Sequence, residues 1–248
     1  KRLESETRRD DNFPAMKNFL TTAIATVFLV GCGPSRAERE MFGAVLKGNI
    51  ATVKQYLDNG VNVNAKSEPG LTSLHCAVNE DFKGSHRELA KLLIDKGADV
   101  KATDDILDTP LHGASNKETA ELLIKAGADV DAKGPKGRTI LYSSARNAAN
   151  APSQTWAMYL GLVELLIAKG ADVDVKNESG ETPLHVVARQ FDEKKASEIC
   201  ELLIANGAKV NEKKLNGQTP LDEANGNKRT KTTDLLRKHG GKTGEELK

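Results

Sequence analysis

Gly180–Ala188 reads GETPLHVVA, and Leu202–Val210 reads LLIANGAKV. The first phrase starts a helix. Thr182 offers a side-chain oxygen to the orphan amides of a first turn, and Pro183 sits at the first helical position, where a missing N–H costs nothing. The second phrase ends one. Ile199, Leu202 and Leu203 recur at three- and four-residue spacing and make a buried stripe, and Gly207 supplies the left-handed residue that closes the helix.

Both phrases repeat along the chain. The first returns as GLTSLHCA from Gly70, DTPLHGA from Asp108, GRTILYSSA from Gly137 and GQTPLDEA from Gly217. The second returns as LLIDKGADV, LLIKAGADV, LLIAKGADV and LLRKHGG, and an earlier copy, VKQYLDNGVNV, begins at Val53 after a first-helix candidate over 38–47. The closing glycines, Gly60, Gly97, Gly127, Gly170, Gly207 and Gly240, are spaced 37, 30, 43, 37 and 33 residues apart. This pattern resembles the ankyrin repeat, with its T-P-L-H-x-A phrase and a period of about 33 residues. The resemblance implies an all-α solenoid of about six helix-turn-helix repeats joined by β-hairpin loops. Its repeats run approximately over 38–69, 70–106, 107–136, 137–179, 180–216 and 217–241, with 242–248 as a tail. A single repeat cannot bury its own apolar face, so the stack itself is the core.

Departures from the pattern carry their own expectations. Leu107 stands where the other hairpins have Gly70, Gly137, Gly180 and Gly217, which predicts a rearranged turn and low local stability in the short repeat that follows. Tyr142 and Asp222 replace the phrase histidine. By the resemblance, His75, His112 and His185 are structural and bond neighbouring turns, and no second metal ligand lies near them in sequence. Three repeats exceed the family period, through 81–85, 191–195 and 146–161, each between first and second helix. The longest extension holds Trp156, Met158 and Tyr159 in a chain that is only 4% aromatic, so it offers a possible partner anchor beside the simpler role of covering its own packing.

Ahead of the repeats, Phe19–Val30 is an uncharged run preceded by Met16-Lys17. It is too short for a helix that crosses a bilayer, which needs about 20 apolar residues, and it matches a signal-peptide h-region of about 7 to 15. Leu29-Val30-Gly31-Cys32 resembles the lipobox of bacterial lipoproteins. That resemblance implies a signal peptide over 16–31, acylation of the Cys32 thiol, cleavage before it, and a short tether over 32–37. Residues 1–15 are then an upstream extension. Gly33 is not the aspartate that retains the best-studied lipoproteins at the inner membrane, which implies an outer-membrane lipoprotein facing the periplasm, with the inner membrane and the cell surface as alternatives. Multiple acyl groups would anchor it stably, where one chain holds only weakly.

Charge removes several function classes. With 36 basic and 35 acidic residues the chain has no field to attract phosphate backbones or anionic lipid, so nucleic acid is not an expected partner. Cys76 and Cys200 fall three repeats apart, on the order of three helix diameters of about 10 Å, too far for a disulfide, and read as small buried hydrophobes. Gly240–Gly244 contains G-K-T and K-T-G, but Leu236 stands where a phosphate loop needs glycine, and no S-x-x-K accompanies the second. No catalytic residue, metal site or cofactor is expected.

What remains is a recognition surface on a monomeric repeat stack, with a protein partner and a lipid anchor on Cys32. By the resemblance, the hairpin tips and exposed sides of first helices touch the partner. The tips place Lys66, Glu68, Asp104, Asp105, Lys136, Arg138, Glu178 and Glu181 there, the first helices Asn79, Asn116, Arg146 and Arg189, and the long extension Trp156. The alternative is a structural or protective envelope protein without a dedicated partner.

Overall fold

The computed structural model describes residues 34–79 and 86–248, and residues 1–33, which include the lipobox, and the whole of the first extension, 81–85, lie outside the described residues. Among the described residues, helices come in six consecutive pairs. The pairs are α1 (Arg36–Leu46) with α2 (Ile50–Asp58), α3 (Ser73–Asn79) with α4 (Arg87–Asp95), and a 3-10 turn (Pro110–Gly113) with α5 (Lys117–Lys125). They continue with α6 (Ile140–Asn150) and α7 (Ser153–Ala168), α8 (Pro183–Ala188) and α9 (Glu193–Ala205), and α10 (Pro220–Gly226) and α11 (Thr230–Lys238). First helices stack into an inner layer and second helices into an outer one. The connecting hairpins carry one isolated antiparallel bridge, Lys66 with Thr72, and no extended ladder among the described residues.

Local chemistry starts each inner helix as the sequence predicts. Thr109, Thr182 and Thr219 are N-caps followed by proline at the first position, and all three threonines are buried. The outer helices bury the leucine stripe: Leu89, Leu93, Leu123, Leu162, Leu166, Ile199, Leu203 and Leu236 are inaccessible to solvent. They meet Leu74, Leu111, Leu141, Leu184 and Leu221 of the inner layer in one continuous apolar core. The stopping glycines Gly60, Gly97, Gly127, Gly170, Gly207 and Gly240 all have φ between 79 and 97°. A β carbon there would have to sit in the left-handed region, which favours glycine.

Several expectations need correction. The first inner helix begins at Arg36 rather than Glu38. Ser35 closes a capping box with Glu38, its amide donating to Glu38 Oε2 at 2.6 Å, so the end of the expected tether is already structured. In the third repeat the inner helix is a single 3-10 turn, because three fewer residues leave no room for an α-helix before Asn116 caps α5. The turn at Leu107 is not rearranged. Leu107 takes φ 71°, within the range of the glycines at that position, and its amide donates to the Asp104 carbonyl at 3.2 Å as Gly180 donates to Asn177 at 2.9 Å. Nor does the longest extension, 146–161, lie between its two helices. It lengthens α6 and α7, leaving only Ala151 and Pro152 between them.

The C-terminal tail also packs. Thr219 Oγ1 donates to the Lys242 carbonyl at 2.7 Å and the Gly244 amide donates to Asp222 Oδ2 at 2.7 Å. Arg237 and Glu246 form a two-pronged ion pair at 2.7 and 2.8 Å. Residues 241–248 therefore pack against the sixth repeat.

Candidate functional site

Threonine and histidine of the repeated phrase form one device. In each case the threonine amide, which can only donate, points at histidine Nδ1: Thr72 to His75 at 3.2 Å, Thr109 to His112 at 3.1 Å and Thr182 to His185 at 3.2 Å. Nδ1 therefore presents a lone pair, and Nε2 carries the proton. That proton reaches the backbone of the next repeat, from His75 to the Asp108 carbonyl at 3.1 Å, His112 to Arg138 at 3.3 Å and His185 to Gln218 at 3.3 Å. Burial lowers the pKa of all three rings, which keeps them neutral. Each is a staple between repeats, with no proton or lone pair left for chemistry.

Where Tyr142 replaces the histidine, the staple becomes ionic. Tyr142 donates its hydroxyl to Glu181 Oε2 at 2.8 Å, and Asn177 Nδ2 donates to the same oxygen at 3.2 Å. Arg189 reaches Glu181 Oε1 at 2.6 Å and Glu223 Oε2 at 3.6 Å, while Lys214 closes the ring onto Glu223 and stands 3.7 Å from Glu181. Burial alone would raise the Glu181 carboxyl, but the Arg189 guanidinium and its hydrogen bonds hold it down at about 2. Burial and the Glu181 charge push the Tyr142 hydroxyl up to about 12. The cluster spans the fourth, fifth and sixth repeats, and two cations balance two carboxylates. Glu181 and Arg189, expected to meet a partner, are largely spent on each other. Lys214 and Glu223 complete the ring from positions whose pairing has no local spacing to signal it.

Other candidate residues divide between structural work and exposure. Lys66 Nζ donates to the Thr103 carbonyl of the next hairpin at 2.7 Å, and Lys133, Lys176 and Lys213 repeat that reach along the stack. Asn116 is buried as the N-cap of α5, accepting the Thr119 amide at 2.9 Å, and so does not lie on an exposed helix side. Asn79 packs its carboxamide over Gly113, where an added β carbon would lie 2.0 Å from its oxygen. Arg138 lies over the Tyr142 ring at 5.6 Å, and Arg146 is half-buried, its carbonyl accepting Asn150 Nδ2 at 2.9 Å. Trp156 is half-buried against the core, with Lys195 Nζ 5.9 Å from its ring while donating to the Ala151 carbonyl at 2.7 Å, so it covers the packing of the lengthened helices.

The exposed remainder lies at the hairpin tips. Glu68, Asp105, Lys136 and Glu178 are exposed there, and Asp104 is half-exposed. Neighbouring tips are tied through backbone bonds, Asp105 to the Pro69 carbonyl at 3.3 Å, Glu178 to Lys136 at 3.0 Å and Leu215 to Ser179 at 3.1 Å. The tips thus form a pre-organised edge. Among the described residues no cluster of His, Cys, Asp and Glu is arranged to hold a metal ion. Cys76 and Cys200 are buried, and desolvation pushes the Cys200 thiol up to about 12, so it is inert as a nucleophile. A groove of about 620 Å³ between α4, α5 and α7 is lined by opposing charges, including the Lys169–Glu121 pair at 3.1 Å.

Comparison with known proteins agrees with this architecture. A family model described as ankyrin repeats (3 copies) matches residues 41–134 and 155–245. A solved ankyrin repeat domain from Acinetobacter baumannii AYE is 27% identical with a TM-score of 0.71, covering 83% of this chain and 100% of that one. A chain of the complex between a predatory endopeptidase and an immunity protein from Bdellovibrio bacteriovorus is 30% identical with a TM-score of 0.65, covering 83% and 98%. Curated relatives match over shorter stretches. An ankyrin repeat-containing protein of Schizosaccharomyces pombe is 35% identical over 68 residues, 27% of this chain and 31% of that protein. Human protein phosphatase 1 regulatory subunit 27 is 37% identical over 67 residues, 27% of this chain and 41% of that protein. The chain thus spans less than half the length of these curated relatives.

Proposed function

Because this chain belongs to the ankyrin-repeat family, we propose that it is a non-catalytic protein-binding module, held at a bacterial cell envelope by lipid on Cys32. The observation that carries the binding reading is the division of labour among polar residues. The phrase threonines and histidines and the Glu181–Arg189 ring are consumed between repeats, whereas the hairpin tips form a bonded, outward-facing edge of mixed charge. A rigid edge loses little entropy on association. The likeness to a chain of the endopeptidase–immunity protein complex and to a phosphatase regulatory subunit favours a protein partner, and regulation of an enzyme is one form this binding takes.

The envelope reading rests on Leu29-Val30-Gly31-Cys32 and the uncharged run before it. The anchor places the stack on the periplasmic side of the outer membrane. Metabolic labelling with a fatty-acid analogue tests it: the label should mark the full chain and vanish in Cys32→Ser, and label retained in that variant sinks the anchor. Crosslinking in intact cells, followed by purification and mass spectrometry, tests the binding reading. One near-stoichiometric protein partner is expected, and recovery of none counts against the module.

A further inference from the structure

The second hairpin, which leads into the third repeat, differs from the other four at the residue that closes its turn. Gly70, Gly137, Gly180 and Gly217 hold φ between 69 and 83° at that position, and Leu107 holds 71°. A β carbon in the left-handed region crowds the following carbonyl, so a leucine there is strained where a glycine is not. Packing recovers little of that strain, because Leu107 is 60% exposed and its neighbour Ile106 is 47% exposed. A lone surface leucine needs no explanation. Two adjacent aliphatic residues on a strained tip do, since strain persists where the surroundings hold it and often marks a working surface.

The surroundings hold it firmly. Asp104 Oδ1 accepts the amides of Ile106 and Asp108, each at 2.9 Å, and the Asp104 amide donates to the Asp108 carbonyl at 3.0 Å. The Asp105 amide ties the tip to Pro69 of the preceding hairpin at 3.3 Å. The apolar pair is therefore presented on a fixed loop beside the carboxylates of half-exposed Asp104 and exposed Asp105. The nearest lysine of the preceding hairpin, Lys66, is bonded to the Thr103 carbonyl at 2.7 Å.

We propose that Ile106 and Leu107 form a recognition knob for a protein surface whose apolar patch is rimmed by lysine or arginine. The apolar pair supplies burial, and the acidic frame chooses the partner's charge. This inference rests on the protein-binding reading and names the chemistry of the partner.

Leu107→Gly is the decisive variant, because it keeps the turn and removes both the side chain and the strain. The probe is a synthetic 18-residue amphipathic helix of leucine and lysine, with a leucine–glutamate counterpart, titrated at 0.15 M salt by calorimetry and by amide chemical shifts. The wild type should bind the basic peptide at least fivefold more tightly than Leu107→Gly, with shifts centred on 104–108 and no binding of the acidic peptide. Equal affinity of wild type and variant, shifts centred elsewhere, or equal binding of the acidic peptide overturns the knob. Urea denaturation must show Leu107→Gly at least as stable as wild type; a variant that unfolds is replaced by Ile106→Ser, for which the same loss is expected. In-cell crosslinking separates the two levels. A specific partner retained by Leu107→Gly overturns the knob and leaves the module standing, whereas no specific partner for the wild type overturns the module.

Discussion

Replacing Asp108 by asparagine should stabilise the domain at pH 8 and leave it nearly unchanged at pH 4. The carboxylate is largely buried and lies beside Asp104, and these two causes push it up to about 7. Neither histidine ring beside it supplies a neutralising charge. His112 Nδ1 stands 3.8 Å from Asp108 Oδ1, but it already accepts the Thr109 amide at 3.1 Å and so turns a lone pair toward the carboxylate. His75, the other ring nearby, bonds the Asp108 carbonyl rather than its side chain and is likewise kept neutral.

A folded-state pKa raised above the unfolded value of about 4 gives stability that is intact below that value and lost as pH climbs through about 7. Three units at about 1.4 kcal/mol each set a ceiling of about 4 kcal/mol. The Asp108 side chain is 29% exposed, so solvent screening brings the expected loss to about 2 kcal/mol. Asparagine keeps the shape and has no charge to desolvate. Urea denaturation followed by circular dichroism, at fixed ionic strength from pH 4 to pH 8.5, measures the gap between variant and wild type. That gap should open from near zero to about 2 kcal/mol, or a melting shift of about 4 to 8 °C. Parallel stability curves across that range would refute the argument that the ionised carboxylate is unpaired.

The ionic ring behaves in the opposite sense. Arg189→Met leaves Glu181 and Glu223 with Lys214 alone and should cost about 2 to 3 kcal/mol at pH 7, less than for a fully buried pair because Arg189 is 30% exposed. Since Glu181 is held at about 2, that cost should fade as pH drops from about 4.5 toward 2, which acid-titrated denaturation will show. Asp222→Ala removes the acceptor for the Thr219 and Gly244 amides and should destabilise the last repeat by about 1 to 2 kcal/mol, with faster amide exchange at 242–246. Native-state hydrogen exchange should find the amides of 111–114, in the 3-10 turn of the third repeat, among the least protected inner-layer positions, and those of the outer helix α9 among the best protected in the domain. Strong protection at 111–114 would contradict the view that the short repeat is the weak link.

Much of the fold was legible because its causes are local. A threonine before proline caps and starts a helix, leucines three and four apart define a buried face, and a glycine ends it, all within one repeat. The third repeat was misread in an instructive way. Leucine in place of glycine predicted a new turn, yet the bonds from Asp104 and Pro69 impose the same backbone and leave leucine to bear the strain. The long extension was misread for the converse reason. A count of extra residues does not say whether they loop out or lengthen helices, and Trp156 and its neighbours lengthen α7 because the core beneath them is there to cover.

The candidate surface was only partly legible. Residue type and position placed Glu181, Arg189 and Lys66 on the binding side, but availability depends on partners tens of residues away. Arg189 meets Glu223, and Lys66 meets Thr103. By itself the sequence determined the repeat, its period, its caps and its apolar stripe, since each arises from neighbours along one or two helical turns. Only the stacking of repeats decided which charges neutralise one another, how residues 242–248 pack on the sixth repeat, and how far the apolar side chains at the tips stay exposed, because those outcomes depend on contacts between successive repeats.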